Sequence, residues 1–247
     1  MSFKTFCLLV IIFGSAIFIY IKIASIGNEN SSFNRTSRFS LGKSEFLRNI
    51  FGLHNDGDAR KEYLIGTTPI LVEYAESPGD PIPDAVRTAF EGKIKQLTGR
   101  DAKSYSVDPV PSGTLTDENI RILMEVRKRN FEPGSPIIMV FSVDNFQAAT
   151  NSVGKTYQEY GIILSGSRLK DTTQNSPEAL PAFQLSTLMH EFGHQVGLDH
   201  NDQENCIMNP EVELPVQTGI FANEVTSTDY CSFELDQLQT IKQQLQN

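Results

Sequence analysis

The reactive chemistry of this sequence is concentrated in one short stretch. His190, Glu191, His194, Gly197 and His200 stand in HEFGHQVGLDH, which fits H-E-x-x-H-x-x-G-x-x-H at every fixed position. Chance would place that pattern in a chain of this length on the order of once in 10⁵. The chain has four histidines, and three of them are here; the fourth, His54, reads as an ordinary surface residue in a polar segment. On a helix each residue advances about 100°, so His190 and His194 lie about 40° apart and one turn along, where they can share one ion. Glu191 lies beside them without competing as a ligand. Gly197 can take a left-handed conformation and end the helix, after which the chain turns and returns His200 as a third nitrogen ligand. Three neutral imidazoles leave a position on Zn²⁺ for water, whose pKa falls towards about 7, with Glu191 as general base. The competing reading is a structural zinc site, which is normally closed by four protein ligands and needs no adjacent carboxylate.

These residues require a helix, and Pro181 to Leu198 reads as one. Leu185, Leu188, Met189, Phe192 and Val196 gather opposite the histidines, so the metal face and the core face are distinct, and Gly193 admits a neighbouring element. Upstream, Pro69 to Tyr74 (PILVEY), Pro136 to Val143 (PIIMVFSV) and Tyr160 to Ser165 (YGIILS) read as strands. The second, a continuous apolar run, reads as a central strand. Asp84 to Leu97 has Val86, Phe90, Ile94 and Leu97 on one side and reads as a helix. Thr116 to Arg129, opened by a cap-like Thr116, reads as another, and Phe233 to Leu245 as the last. Strands interleaved with helices, followed by a long helix carrying the site, predict an α/β (α+β) domain.

The motif resembles that of the metzincins, whose elongated signature is followed by a methionine turn beneath the metal. Met208, in CIMNP eight residues after His200, matches that turn. The short spacing resembles matrixins and archaemetzincin-like peptidases, while Asn201 departs from both. The sharp resemblance covers about Leu185 to Pro210. It implies a metzincin-like zincin domain: a mixed twisted sheet, a long active-site helix, the Met-turn and a C-terminal helix. It also implies an edge strand above the cleft that pairs with an extended peptide, for which Lys155 to Leu164 is the candidate by position. The implied activity is zinc-dependent endopeptidase hydrolysis with one catalytic Zn²⁺, held by His190, His194 and His200, and Glu191 as base. Two alternatives stand beside it: a zinc hydrolase of a non-peptide substrate, and an inactive membrane-anchored binding module of the same fold. Intact Glu191 argues against the second.

The rest of the chain bounds where this chemistry takes place. Its 247 residues, 39% of them hydrophobic, suffice for one sizeable core with appendages. A net charge of -9 makes the chain a poor candidate for nucleic-acid binding, which needs a basic stripe. Residues 1–27 read as a membrane anchor or a signal sequence, 28–59 as a polar stalk or linker, and 60–247 as the peptidase domain. Phe6 to Ile21 carries no charged side chain, a run between the usual lengths of a signal core and a spanning helix, and a buried core helix is the third reading. Either export reading puts the remainder outside the cytosol, anchored to the membrane or secreted. Asn30 and Asn34 head glycosylation triplets. In an exported chain Cys206 and Cys231 suggest a disulfide, with two unpaired buried thiols as the alternative, while Cys7 lies in the apolar run. Between Lys170 and Lys242 there is no lysine or arginine, against twelve acidic residues. That asymmetry predicts a peptide or protein substrate of neutral or basic character.

Overall fold

A computed structural model of the chain describes residues 2–26, 33, 37, 41, 44–51, 60–127, 135–147, 152–158, 160–174, 176–203, 206–210 and 227–246. The chain divides into two compact units, Met1–Gly57 and Asp58–Asn247.

The first unit holds helix α1 (Phe3–Ile26) and helix α2 (Glu45–Phe51). At 24 residues α1 is about 36 Å long, enough to cross a hydrocarbon core of about 30 Å. A helix of a protein core would bury its apolar side chains. The apolar window of α1 is 0% buried, and Ile11, Phe13, Tyr20 and Ile23 are exposed. Length and composition therefore suit a signal sequence or a membrane span. The stretch read as a polar stalk includes α2, which shows Phe46 and Ile50 on its surface. His54, Asn30 and Asn34 lie outside the described residues.

The second unit begins with helix α3 (Arg60–Ile65), strand β1 (Ile70–Glu76), helix α4 (Asp84–Thr98) and strand β2 (Ala102–Ser106). A short strand β3 (Thr114–Leu115) leads to helix α5 (Asp117–Arg127), followed by β4 (Ile137–Val143) and β5 (Asn145–Phe146). Then come β6 (Gly154–Tyr157), β7 (Gly161–Ser165), α6 (Gly166–Thr172), α7 (Leu180–Gln195) and α8 (Ser232–Gln246). Five strands form a mixed sheet in the order β2-β1-β4-β7-β6; all pairs are parallel except the antiparallel β6–β7 pair at one edge. Strands β3 and β5 make a separate two-stranded pair.

The central strands are apolar throughout because both faces of the sheet are covered. Val72, Tyr74, Val140, Ile162 and Leu164 meet Phe90 and Ile94 of α4 and Leu188 and Phe192 of α7 on one face. Leu71, Met139, Phe141 and Ile163 meet Ile120 and Met124 of α5 on the other. Phe192 stands edge-on to both Tyr63 and Phe90, which fixes the rotation of α7 against the core. Helix α5 begins where its cap predicts: Asn119 N donates to Thr116 Oγ1 at 3.1 Å, and Thr116 Oγ1 donates back to Asn119 Oδ1 at 2.8 Å. The last two residues of that expected helix, 128 and 129, lie outside the described residues.

Helix α7 stops at Gln195, three residues short of the expected Leu198, and the reason is Gly197. Its φ of +95° is left-handed, and it ends the helix in a Schellman turn, with Leu198 N donating to Gly193 O at 2.9 Å and Gly197 N to His194 O at 3.0 Å.

Candidate metal centre

The Schellman turn aims two of the three histidines. It places the Leu198 carbonyl 2.9 Å from His194 Nδ1 and redirects the chain so that His200 comes back over the helix. His190 Nδ1 lies 2.6 Å from the carbonyl of Ile207. A carbonyl only accepts, so both Nδ1 atoms carry the proton and both Nε2 atoms present lone pairs. Those atoms face His200 Nε2, at 3.1 Å from His190 and 3.2 Å from His194.

At most one N–H is shared among these three ring nitrogens, and a cation is their natural complement. Nitrogen ligands at about 2.0–2.1 Å from a tetrahedral zinc lie about 3.3–3.4 Å apart, close to the spacings seen here. Donor type, tautomer and spacing therefore fit zinc. The bonds from His190 and His194 to backbone carbonyls fit as well, since zinc-binding histidines usually give their other N–H to a carbonyl or carboxylate. His190 is buried, His194 half-buried and His200 exposed, so the group opens to solvent on the His200 side.

Beneath the histidines lies the turn containing Met208. A Cβ at Gly193 would collide with the Met208 sulfur and press on the Tyr230 hydroxyl, so only glycine allows this approach. Tyr230 Oη donates to Met189 O at 2.6 Å. Burial, and then the charge of Glu234, push that hydroxyl well above its ordinary pKa, so it stays a donor. Cys206 and Cys231 are joined by a disulfide, with Cα atoms 5.1 Å apart, which ties the turn to the start of α8. Cys7 is a free thiol.

Glu191 is fully buried, between α7 and the edge strand β6. Thr156 Oγ1 donates to its Oε2 at 2.6 Å, with the Glu191 backbone carbonyl 3.0 Å away. Gly154, two residues earlier on the same face of β6, leaves the space that the Glu191 carboxylate occupies. The structure thus brings His190, His194 and His200 together, with the Met208 turn packed at Gly193 of the same helix, and sets the Glu191 carboxylate against strand β6. It adds Thr156, which sequence reasoning missed: its position depends on the register of an edge strand, and a lone threonine carries no signal. It also adds Glu234, whose one local signal is its place three residues after Cys231, the N3 position of α8, where a glutamate reaches back to the cap N–H.

Comparison with known proteins is consistent with this geometry. The sequence model of the Matrixin family matches residues 155–231. No curated protein matches the chain. An archaemetzincin from Methanopyrus kandleri has a similar structure, with a TM-score of 0.55 and 17% identity over 72% of this chain and 97% of that one. A zinc-dependent peptidase from Methanocorpusculum labreanum aligns with a TM-score of 0.45 and 14% identity, over 68% of this chain and 99% of that one. The matched segment contains His190, His194, His200 and the turn with Met208, so over that segment the chain is similar to the Matrixin family, and the likeness to the archaemetzincin structure is one of fold.

Proposed function

We propose that this chain is a zinc endopeptidase in which His190, His194 and His200 hold one ion and Glu191 is the general base. The observation that carries the reading is the three-nitrogen cluster itself. Its Nε2 atoms lie 3.1 and 3.2 Å apart on the side where His200 is exposed, and the described residues there supply three ligands and no fourth. A structural site would be closed by four protein ligands. Zinc held there supplies Lewis acidity to a carbonyl oxygen and to a water molecule. The Glu191 carboxylate, oriented by Thr156, takes the proton of the attacking water and hands it to the leaving amine. Strand β6 is the edge of the sheet, and its outer edge is the place for an extended peptide to add as a further strand.

Purified protein is expected to carry one zinc per chain and to cleave casein. Chelation should abolish cleavage, and added zinc should restore it. Zinc-loaded protein that leaves casein intact while hydrolysing a non-peptide ester would favour the alternative hydrolase, and zinc without any turnover would favour the binding module.

Two finer parts of the reading have their own support. The disulfide suits an oxidising compartment, which supports a catalytic domain outside the cytosol, anchored by α1 or secreted after its removal. Preference for neutral or basic peptides rests on the acidic surface. Asp199 and Asp202 flank His200 and are exposed, as are Asp171, Glu178, Asp229 and Asp236, with Asp229 paired to Lys93. Glu191 and Glu234 are buried and add nothing to that surface; Glu204, Glu211, Glu213 and Glu224 lie outside the described residues. A peptide library should be cleaved faster at basic than at acidic members, by a margin that shrinks as salt shortens the Debye length. Faster cleavage of acidic peptides, or a basic preference indifferent to salt, contradicts steering by charge.

A further inference from the structure

Hydrogen-bond donors from three separate stretches of chain converge on the carboxylate of Glu234. The residue is fully buried. Oε1 accepts from Met208 N at 2.7 Å and from Asn201 Nδ2 at 3.0 Å. Oε2 accepts from Cys231 N at 2.9 Å and from Ile207 N at 3.3 Å. A carboxylate offers only acceptors, which matches a set made only of donors. The Cys231 bond is an ordinary helix cap of α8, but the other three go beyond what a cap requires.

One of them leads to the metal centre. Met208 N–H and Ile207 C=O belong to a single peptide group. Its N–H points at Glu234 Oε1, and its C=O accepts from His190 Nδ1 at 2.6 Å. A negative acceptor on the N–H draws charge through the peptide towards its oxygen and strengthens the bond that oxygen makes to the imidazole. The third histidine is reached by a second path. Asn201 follows His200 directly, gives its side-chain N–H to Glu234, and gives its backbone N–H to Met208 O at 3.0 Å.

We propose that Glu234 is a positioning residue for zinc: through the Ile207–Met208 peptide it fixes the ring and tautomer of His190, and through Asn201 it fixes the return of His200. The inference rests on the zinc reading above. It assigns to a helix outside the signature motif the part that a directly bonded carboxylate plays towards histidine ligands elsewhere.

The test measures metal binding rather than turnover. Zinc affinity of the full chain is determined by competition with a chromophoric chelator, and the visible bands of the cobalt-loaded protein report the ligand geometry. Glu234→Gln keeps the side-chain shape but replaces one acceptor by a donor. With an unchanged circular dichroism spectrum and an intact disulfide, it is expected to bind zinc about 10–100-fold more weakly and to shift the cobalt bands. Asp236→Asn, an exposed carboxylate on the same helix, should change neither and serves as the control for lost charge. Wild-type affinity and bands in Glu234→Gln, or an equal loss in Asp236→Asn, would overturn the proposal. Should Glu234→Gln fail to fold, Asn201→Ala decides, since it removes one arm and leaves the carboxylate its other donors. It should weaken zinc several-fold and shift the bands, and no change in either would refute the role. A wild-type chain that takes up no zinc sinks this proposal together with the zinc reading, whereas zinc binding without casein cleavage sinks only the endopeptidase reading.

Discussion

The Glu191→Gln protein is expected to retain its zinc and to lose about 10²–10⁴-fold in kcat on peptide substrates. The substitution keeps the volume of a fully buried side chain and leaves the Nε2 atoms of His190, His194 and His200 as they are. What it removes is the basic oxygen that the proposed mechanism assigns to Glu191. The amide can still accept the Thr156 hydroxyl through its remaining oxygen, so the strand–helix contact that Thr156 makes at 2.6 Å survives. His190→Ala should behave differently, losing metal and activity together, because one of three ligands is gone. Metal analysis alongside casein hydrolysis separates the two classes. A Glu191→Gln enzyme that cleaves at the normal rate would remove the base from the mechanism.

The second large effect belongs to the covalent tie between Cys206 and Cys231. It closes a loop of 25 residues, worth about 3–4 kcal/mol in the chain-entropy account. The double substitution of both cysteines by serine should lower the melting temperature on the order of 10 °C for a domain of this size. The loss should fall on the metal centre as well, since the tie fixes the turn whose Ile207 carbonyl orients His190. Thermal unfolding of the two proteins, each with and without zinc, measures both consequences. An unchanged melting temperature in the double variant would show that packing of α8 alone holds the turn.

The parts of this fold that could be read from sequence are those whose specification is local. Helix α7 announces its two faces through side-chain spacing, and its end through Gly197, so the gathering of the three histidines follows from residue order alone. Strands β4 and β7 are apolar runs and stand out for that reason. Strand β2 is written AKSYS and half exposed; at the sheet edge it needs no apolar pattern, and it passed unnoticed. Helices α2, α3 and α6 have six or seven residues, too few to show a period. Thr156 and Glu234 were hidden for a different reason. Each gains its role from backbone groups or side chains 26 to 35 residues away, and nothing in the local sequence of either refers to those partners. For Glu234 the capping position gives one bond and conceals the rest.

The disulfide also alters what a cut in the backbone would do to this molecule. Cys206 and Cys231 close a ring that carries Met208 and every residue up to Tyr230. Cleavage of any single peptide bond within that ring, by another protease or by a second copy of this chain, leaves both fragments covalently joined. The histidines remain on one fragment and α8 on the other, held together at the floor of the site. Such a nicked chain would migrate as an intact one until a reductant is added.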